Sequence, residues 1–416
     1  MNGVLAAVAV ILVVTLGAIG ILAGEEEQGA PAAERSPGPS LEQVTRRVAE
    51  IARGVEQARE LEFERLPRVR IVSPADARRA GLAELDRSVP VRLQRIEERL
   101  LAMLGLLPPD ARLREIVGRA LTSEVAGYYI PRSDTLALVR GGGVEGFLAE
   151  VALAHELGHA LEDQHFGIEP HGSSGFLRDR AVAESALHEG SATLVMVDYV
   201  VVSQGAGVVD PEKIRGRVLE QLEGIALPES SGLPRYVRES LVFPYAAGAR
   251  FVDRIQREGG WEAVDRAFGR DAPVSTEQIM HPREYERDER PVRVRLEGVR
   301  AELPEGARRV ARGDIGEFDT AQVLYEANGR ARADEAAAGW GGSTFELWVL
   351  PDDEYVLVIG WAWDSPWDAA EFAAAARRSA GSLPGPGAVA GGNEGVTMVL
   401  APDPGLARRV ARAAAP

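Results

Sequence analysis

The feature that most constrains this chain is a pair of histidines four residues apart, His155 and His159, with a glutamate directly after the first. They lie in a stretch whose apolar residues recur with helical spacing from about residue 147 to 164. Residues four apart lie on one face of a helix, so the two imidazoles can bind one metal ion. Glu156 lies one position round, where a carboxylate can hold a water on that metal. The alternative is that the three residues occur in this pattern by chance on a polar helix face.

Composition narrows the chemistry of such a site. The chain has 416 residues and no cysteine, so a metal must be held by His, Asp or Glu. Its formal net charge of −16 argues against a general nucleic-acid binder, because such proteins carry a basic face. The length predicts more than one folding unit.

The N-terminal segment predicts a membrane connection. Residues 3–23 are an uncharged apolar run, long enough to cross a bilayer as a helix. No Lys or Arg precedes this run, and the first Arg after it is Arg35. We therefore expect residues 1–24 to form a single-pass membrane anchor with the body outside the cytoplasm. A long signal peptide, cleaved to release a secreted protein, is the alternative. Residues 25–40, rich in Gly, Pro, Glu and Ser, predict a flexible linker.

Residues 41–290 predict a mainly helical domain with a small edge sheet. Ser40 and Gln43 predict a capping box at the start of its first helix. Upstream of the two histidines, residues 125–130 and 135–139 are β-prone and predict a hairpin. An edge strand beside a cleft could hold an extended peptide through main-chain hydrogen bonds.

A catalytic zinc site needs a third protein ligand, and the next predicted helix, residues 176 to about 202, carries several acids. Glu189 shares its helical face with small residues, which let two helices approach closely. These small residues are Ser185, Ala186, Ala192 and Thr193. Glu184 lies well round the helix and is the alternative. Glu189 is therefore the predicted third ligand.

After about residue 290 the pattern changes to short strands between helices, which predicts a separate α+β domain over residues 291–416. Five of the six tryptophans lie there and are predicted to be core, with a ligand platform as the alternative. The predicted strands are 292–299, 345–350, 355–363 and 396–400, and the predicted helices are 367–378 and 406–414. The fold class of the whole chain is therefore predicted to be α+β.

Four stretches carry a family resemblance. They are residues 154–166 (AHELGHALEDQHF), 187–196 (LHEGSATLVM), 243–248 (FPYAAG) and 275–282 (STEQIMHP). Together with a Glu on the helix after H-E-x-x-H, they resemble the gluzincin zinc metallopeptidases, in particular a membrane-associated bacterial and archaeal branch. The resemblance spans most of residues 41–400. It implies a zinc ion held by His155, His159 and Glu189, with Glu156 as the catalytic base.

One position departs from that resemblance. Relatives often carry an acid two residues after the ligand Glu, where this chain has Ser191. An acid there could support a ligand histidine, so its loss could weaken zinc binding. Asp179 and Asp198 are possible substitutes, and the sequence leaves both open.

An oxyanion that forms during amide cleavage needs a hydrogen-bond donor besides the metal. Tyr245 resembles a tyrosine that recurs on a helix near gluzincin sites, with a core tyrosine as the alternative. His281, alone in a polar run stopped by a proline, is the second predicted catalytic residue. The alternative is that it caps a helix or packs the boundary with the C-terminal domain. Tyr128 and Tyr129 are further candidates, for which packing is favoured.

These inferences predict a zinc-dependent peptidase that hydrolyses peptide bonds with metal-activated water and Glu156 as general base. The predicted cofactor is Zn²⁺ and the predicted partner is a peptide or protein substrate. Two alternatives are a non-catalytic binding module at the cell envelope and a zinc hydrolase acting on a non-peptide amide. The intact Glu156 argues against the first, because a binding module needs no base.

Overall fold

The fold is α+β, which confirms the predicted class. A computed structural model describes residues 40–121, 127–140, 146–168, 178–204, 210–223, 227, 229–392 and 395–415. Within these ranges, the first part of the chain is mainly helical with a three-stranded sheet, and the second part surrounds a five-stranded sheet.

The first part is built from ten helices among the described residues, several of them long enough to cross the domain. The first helix begins with the predicted capping box, in which Ser40 Oγ accepts from the Gln43 N–H and Gln43 Oε1 accepts from the Ser40 N–H. The helices are α1 Leu41–Arg59, α2 Pro74–Ser88, α3 Val91–Met103, α4 Leu113–Ala120, α5 Phe147–Phe166, α6 Asp179–Gln204, α7 Pro211–Glu223, α8 Arg235–Ala267, α9 Thr276–Met280 and α10 Pro282–Glu286.

The small sheet lies beside the helix that carries the two histidines. Its strands are β1 Arg68–Val72, β2 Gly127–Ile130 and β3 Thr135–Val139, in the order β1-β3-β2. The pair β2–β3 is antiparallel, as the predicted hairpin requires, whereas β1 runs parallel to β3. One edge of the sheet is therefore β2, and this edge faces α5.

Helices α6 and α8 cross at unusually short range. A Cβ atom built on Gly248 of α8 would lie 1.9 Å from the carbonyl oxygen of Ala186 on α6. One built on Gly190 would lie 2.2 Å from the carbonyl carbon of Gly248. Only glycine fits at these two positions, because the neighbouring atoms are backbone and cannot rotate away. The crossing holds Glu189 of α6 against α8.

The second part contains five antiparallel strands in the order β4-β5-β6-β8-β7. Two of its tryptophans, Trp340 and Trp361, are fully buried, as predicted for core residues, whereas Trp367 is exposed. The strands are β4 Arg308–Gly313, β5 Trp340–Val349, β6 Tyr355–Trp363, β7 Gly387–Gly391 and β8 Val396–Leu400. The helices are α11 Val299–Glu302, α12 Glu317–Asn328, α13 Arg330–Ala337, α14 Pro366–Ser382 and α15 Pro404–Ala414.

The prediction of a strand over residues 292–299 is wrong. This segment does not pair with another strand through regular β-sheet hydrogen bonds. It instead packs against the five-stranded sheet. The N–H of Val292 donates to the carbonyl of Gly341, and the Thr344 hydroxyl donates to the carbonyl of Val294. Glycines at 342 and 360 leave room for it on the sheet face. The side chains of Val294 and Leu296 pack over Gly360, whereas Val292 is exposed.

The two parts share apolar contacts. One continuous core cluster includes residues on both sides of residue 290. The rings of Phe243 on α8 and Phe318 on α12 lie 4.2 Å apart, and the Tyr236 hydroxyl donates to Asp319 at 2.7 Å. The boundary after residue 290 stays a prediction.

The predicted localisation requires a correction. The run at residues 3–23, and with it the anchor over 1–24 and most of the 25–40 linker, lies outside the described residues. Within the part of the chain that the structure describes, no helix combines the length and apolarity needed to cross a bilayer. A single-pass anchor with an extracytoplasmic body is therefore not supported.

Candidate metal centre

The two motif histidines come together on the inner face of α5. Their rings lie one helical turn apart and meet edge to face, with centroids separated by 4.7 Å. The Nε2 atoms of His155 and His159 are 3.1 Å apart. Glu189 reaches them from α6, with its Oε2 at 3.2 Å from His155 Nε2 and 3.3 Å from His159 Nε2. All three side chains are buried.

The spacing of these three atoms fits a metal ion. Ligands at about 2.0–2.1 Å from a tetrahedral zinc ion lie about 3.3 Å from one another. The observed separations of 3.1–3.3 Å match that edge length. Two imidazoles and one carboxylate, without sulfur, are also a donor set that catalytic zinc sites use. His155, His159 and Glu189 could therefore bind a metal ion.

The charges within this cluster are strongly coupled. Burial opposes ionisation of Glu189, but the two imidazoles, chiefly that of His159, outweigh it and lower the pKa of Glu189 to about 2. Burial likewise opposes protonation of His159, yet the Glu189 carboxylate raises the pKa of His159 to about 9. Burial lowers the pKa of His155. The site therefore holds an anionic ligand that attracts a positive partner.

Glu156 is held beside the cluster by the small sheet. The backbone N–H of Tyr129 on β2 donates to Glu156 Oε2 at 2.8 Å. Burial raises the pKa of Glu156 to about 7. A carboxyl group with a pKa near neutrality is suited to accept and return a proton. The same hydrogen bond shows that the outer edge of β2 faces the cluster.

Tyr245 of α8 also belongs to this site. Its ring centroid lies 5.9 Å from that of His155, and its hydroxyl hydrogen-bonds the Glu189 carboxylate. Burial, together with the negative charges of Glu189 and Glu156, raises the pKa of Tyr245 well above its usual value. The phenol therefore stays protonated and can donate a hydrogen bond. The structure thus brings five of the six predicted site residues together.

One buried network beside the cluster was not foreseen from the sequence. Glu162, on the same helix as the histidines, accepts a hydrogen bond from Arg59 Nε of α1 at 2.8 Å. Its Oε1 also accepts from the Ser191 hydroxyl of α6 at 2.5 Å. Arg59 donates in turn to Asp265 of α8 at 2.6 Å. The only sequence signal is the spacing: Glu162 lies seven residues after His155 and three after His159, which places it on the helical face of the two histidines.

The two acids considered as substitutes at Ser191 have other partners. Asp179 accepts hydrogen bonds from the backbone N–H and hydroxyl of Thr276, at the beginning of α6. Asp198 forms an ion pair with Arg215 at 2.6 Å. Neither belongs to the cluster. The carboxylate that contacts Ser191 is Glu162.

The remaining candidates lie around the cluster. Tyr128 packs in a hydrophobic cluster, as favoured from the sequence, and the Tyr129 hydroxyl donates to Asp163 and Asp134. Glu184, the alternative ligand, pairs with Arg180 at 2.7 Å. His281 lies between α9 and α10, where its Nε2 contacts Glu317 of α12 at 2.8 Å. The described contacts of His281 thus lead to the C-terminal part, and its catalytic role stays a prediction.

This contact gives His281 a testable effect on stability. Its hydrogen bond with Glu317 raises the pKa of His281 above 6.5, although burial opposes the shift. A folded-state pKa above the unfolded one stabilises the protein at pH below about 6.5, and the contribution is lost as pH rises through the raised pKa. If His281 only ties the two parts of the chain together, His281→Ala lowers the melting temperature most at acidic pH and leaves kcat unchanged. A melting temperature equal to the parent's, with kcat reduced about 100- to 1,000-fold, would instead establish a catalytic role.

Comparison with known proteins adds the following. Residues 302–413 match the family model of a domain of unknown function (DUF8575). No curated protein matches the chain. Among solved structures, the chain is similar to a crystal structure from Chloroflexus aurantiacus of a protein proposed to be a hydrolase, with a novel fold. The identity is 16% and the TM-score 0.38, covering 67% of this chain and 98% of that one. The metal centre lies outside the residues that the family model matches.

Proposed function

We propose that this chain is a zinc-dependent peptidase of the gluzincin type. The observation that carries the proposal is the convergence of His155, His159 and Glu189 at metal-binding distances, with the Glu156 carboxyl beside them. A metal held only for structure would not need a neighbouring buried carboxyl whose pKa lies near 7.

Each residue then has a chemical task. Bound zinc would polarise the scissile carbonyl and acidify the attacking water. Glu156, held by the Tyr129 N–H, accepts the proton of that water and delivers it to the leaving amine. Tyr245 remains a protonated phenol at neutral pH, and its hydroxyl, which hydrogen-bonds Glu189 before substrate binds, would turn its single proton to the developing oxyanion.

The position of β2 favours a peptide as substrate. In an antiparallel strand, the N–H and C=O of one residue point to the same side, and alternate residues share it. The Tyr129 N–H points away from β3 and towards Glu156, so the main-chain groups of Gly127 face the same way. Among the described residues no further strand pairs with this edge, so an extended peptide can bind to the remaining main-chain groups of Gly127 and Tyr129 and present its backbone to the cluster.

The test of the metal centre compares two glutamates of α6. The parent chain is expected to bind about one zinc per molecule and to cleave members of a peptide library. Glu189→Ala should lose the metal, because it removes one of three ligands. Glu184→Ala is the matched control and should retain it, because Glu184 pairs with Arg180 on its own helix.

Metal analysis together with the cleavage assay separates the outcomes. A metal-free Glu184→Ala protein beside a zinc-loaded Glu189→Ala protein would show that the third ligand is misassigned. A parent that binds zinc and cleaves non-peptide amides but no peptides would contradict the substrate class alone.

A further inference from the structure

Glu162 occupies a position that the proposed mechanism does not explain. It is completely buried, together with Arg59 and Ser191, although it neither binds the metal nor faces the substrate edge. Burying a carboxylate is costly unless it is paired and hydrogen-bonded, so its presence requires a reason. The reason lies in what it connects.

We propose that Glu162 is a positioning residue of the metal centre, which ties the histidine helix to the Glu189 helix and supplies negative charge to the bound cation. This inference rests on the proposed metal centre and not on the choice of substrate. It makes the integrity of the centre depend on a residue outside the ligand set.

The tie acts close to the ligands on both helices. Ser191 lies two residues after Glu189 on α6, and Glu162 lies three residues after His159 on α5. Their hydrogen bond therefore joins the two helices within one turn of the metal-binding atoms. It limits sliding or rotation of one helix against the other, either of which would spread the three ligand atoms apart.

The charge of Glu162 is only partly compensated within the network. Glu162 Oε1 accepts both hydrogen bonds, whereas Oε2 is buried and has no hydrogen-bond partner among the residues that the structure describes. Arg59 divides its single positive charge between Glu162 and Asp265. In this network two carboxylates thus share one guanidinium. A dication one turn away offsets this excess, because charges interact strongly where water is excluded.

Asp265 provides a matched control for a purely structural role. It is the other carboxylate that pairs with Arg59, but it comes from α8 and is about one-third exposed. Arg59 itself is held in place by the rings of Trp261, at 4.3 Å, and Phe166, at 5.7 Å. Removing either carboxylate breaks an ion pair with Arg59. Only Glu162, however, also accepts a hydrogen bond that connects the histidine helix to the Glu189 helix.

The experiment measures zinc affinity of the full chain by competition with a chelator, and the melting temperature of the metal-free form. Glu162→Gln removes the negative charge, although its amide oxygen can still accept from Arg59 and Ser191, and it should lower zinc affinity about 10- to 100-fold, as expected when a residue that supports the ligands is changed. Asp265→Asn should leave zinc affinity unchanged. Both variants should melt at lower temperature than the parent. Combining Glu162→Gln with Ser191→Asp returns a carboxylate to the same place from α6, and should restore zinc affinity.

The outcomes are distinct. Equal zinc affinity of Glu162→Gln and the parent, or an equal loss in Asp265→Asn, would overturn the positioning role. If Glu162→Gln fails to fold, Ser191→Ala replaces it, because it removes the tie while keeping the charge. Ser191→Ala should bind zinc more weakly than the parent, and parental affinity would overturn the inference. A parent that binds no zinc would overturn the metal centre itself.

Discussion

Replacing Glu156 with glutamine is expected to lower turnover about 100- to 10,000-fold, the range that a general base contributes. Zinc content and melting temperature should stay close to those of the parent. Glutamine has nearly the same shape, and its amide oxygen can still accept the Tyr129 N–H at the position of Glu156 Oε2. It cannot, however, take a proton from water. Steady-state cleavage of a library-derived peptide, with metal analysis of the same sample, measures both effects.

Glu150→Gln is the control for losing a carboxylate elsewhere on α5. Glu150 lies in the first turn of that helix and pairs with Arg47 of α1, away from the cluster. Its variant should cleave at the parental rate. A Glu156→Gln protein that cleaves as fast as the parent would refute the mechanism, and one that loses its zinc would make Glu156 a structural group.

Gly248→Ala is expected to damage stability and metal binding together. The added methyl carbon would lie 1.9 Å from the Ala186 carbonyl oxygen and 2.8 Å from its carbonyl carbon. Both are backbone atoms, so α6 and α8 must separate. Overpacking of this kind costs about 3 kcal/mol of unfolding free energy, or more where no side chain can move aside. Because Glu189 lies on the same stretch of α6, separation also moves it from the histidines. Denaturant unfolding and zinc analysis measure the two effects.

The control for that substitution is Gly216→Ala. Gly216 lies inside α7, and a Cβ atom there would have no neighbour within 4 Å. Alanine is favoured over glycine inside a helix by roughly 0.5–1 kcal/mol, so this variant should be as stable as the parent or slightly more stable. Parental stability and zinc content in Gly248→Ala would show that the helix crossing can yield.

The sequence revealed the candidate metal-binding residues because their pattern is local. His155, Glu156 and His159 fall on one helix with a fixed spacing, and small neighbours identified Glu189 as the acid facing another helix. Glu162 and Arg59 escaped notice for a physical reason. A charged residue on a helix normally faces water, and only contacts over 103 and 206 residues of chain bury these two.

The fold divides in a similar way. Caps and the hairpin were predictable because neighbouring residues determine them, as Ser40 and the turn at residues 131–133 show. Helix α12 was missed, since all of its first eight residues are buried and no exposed polar face gives it a helical period. Residues 292–299, wrongly predicted as a strand, do alternate between apolar and polar residues. Sequence periodicity, however, cannot distinguish a strand within a sheet from an extended segment that packs on a sheet.

The large sequence separation between Arg59 and Asp265 has a consequence for the stage of synthesis at which the site is completed. Asp265, the second partner of Arg59, lies 206 residues after it. At a translation rate of 5–20 residues per second, Glu189 leaves the ribosome about 4 to 15 seconds before Asp265 does. All three proposed metal ligands thus exist in the growing polypeptide while α8, with Gly248 and Tyr245, has still to be synthesised. We expect metal to be acquired by the finished domain, since only then does α8 pack against the Glu189 helix at Gly248 and fix its position.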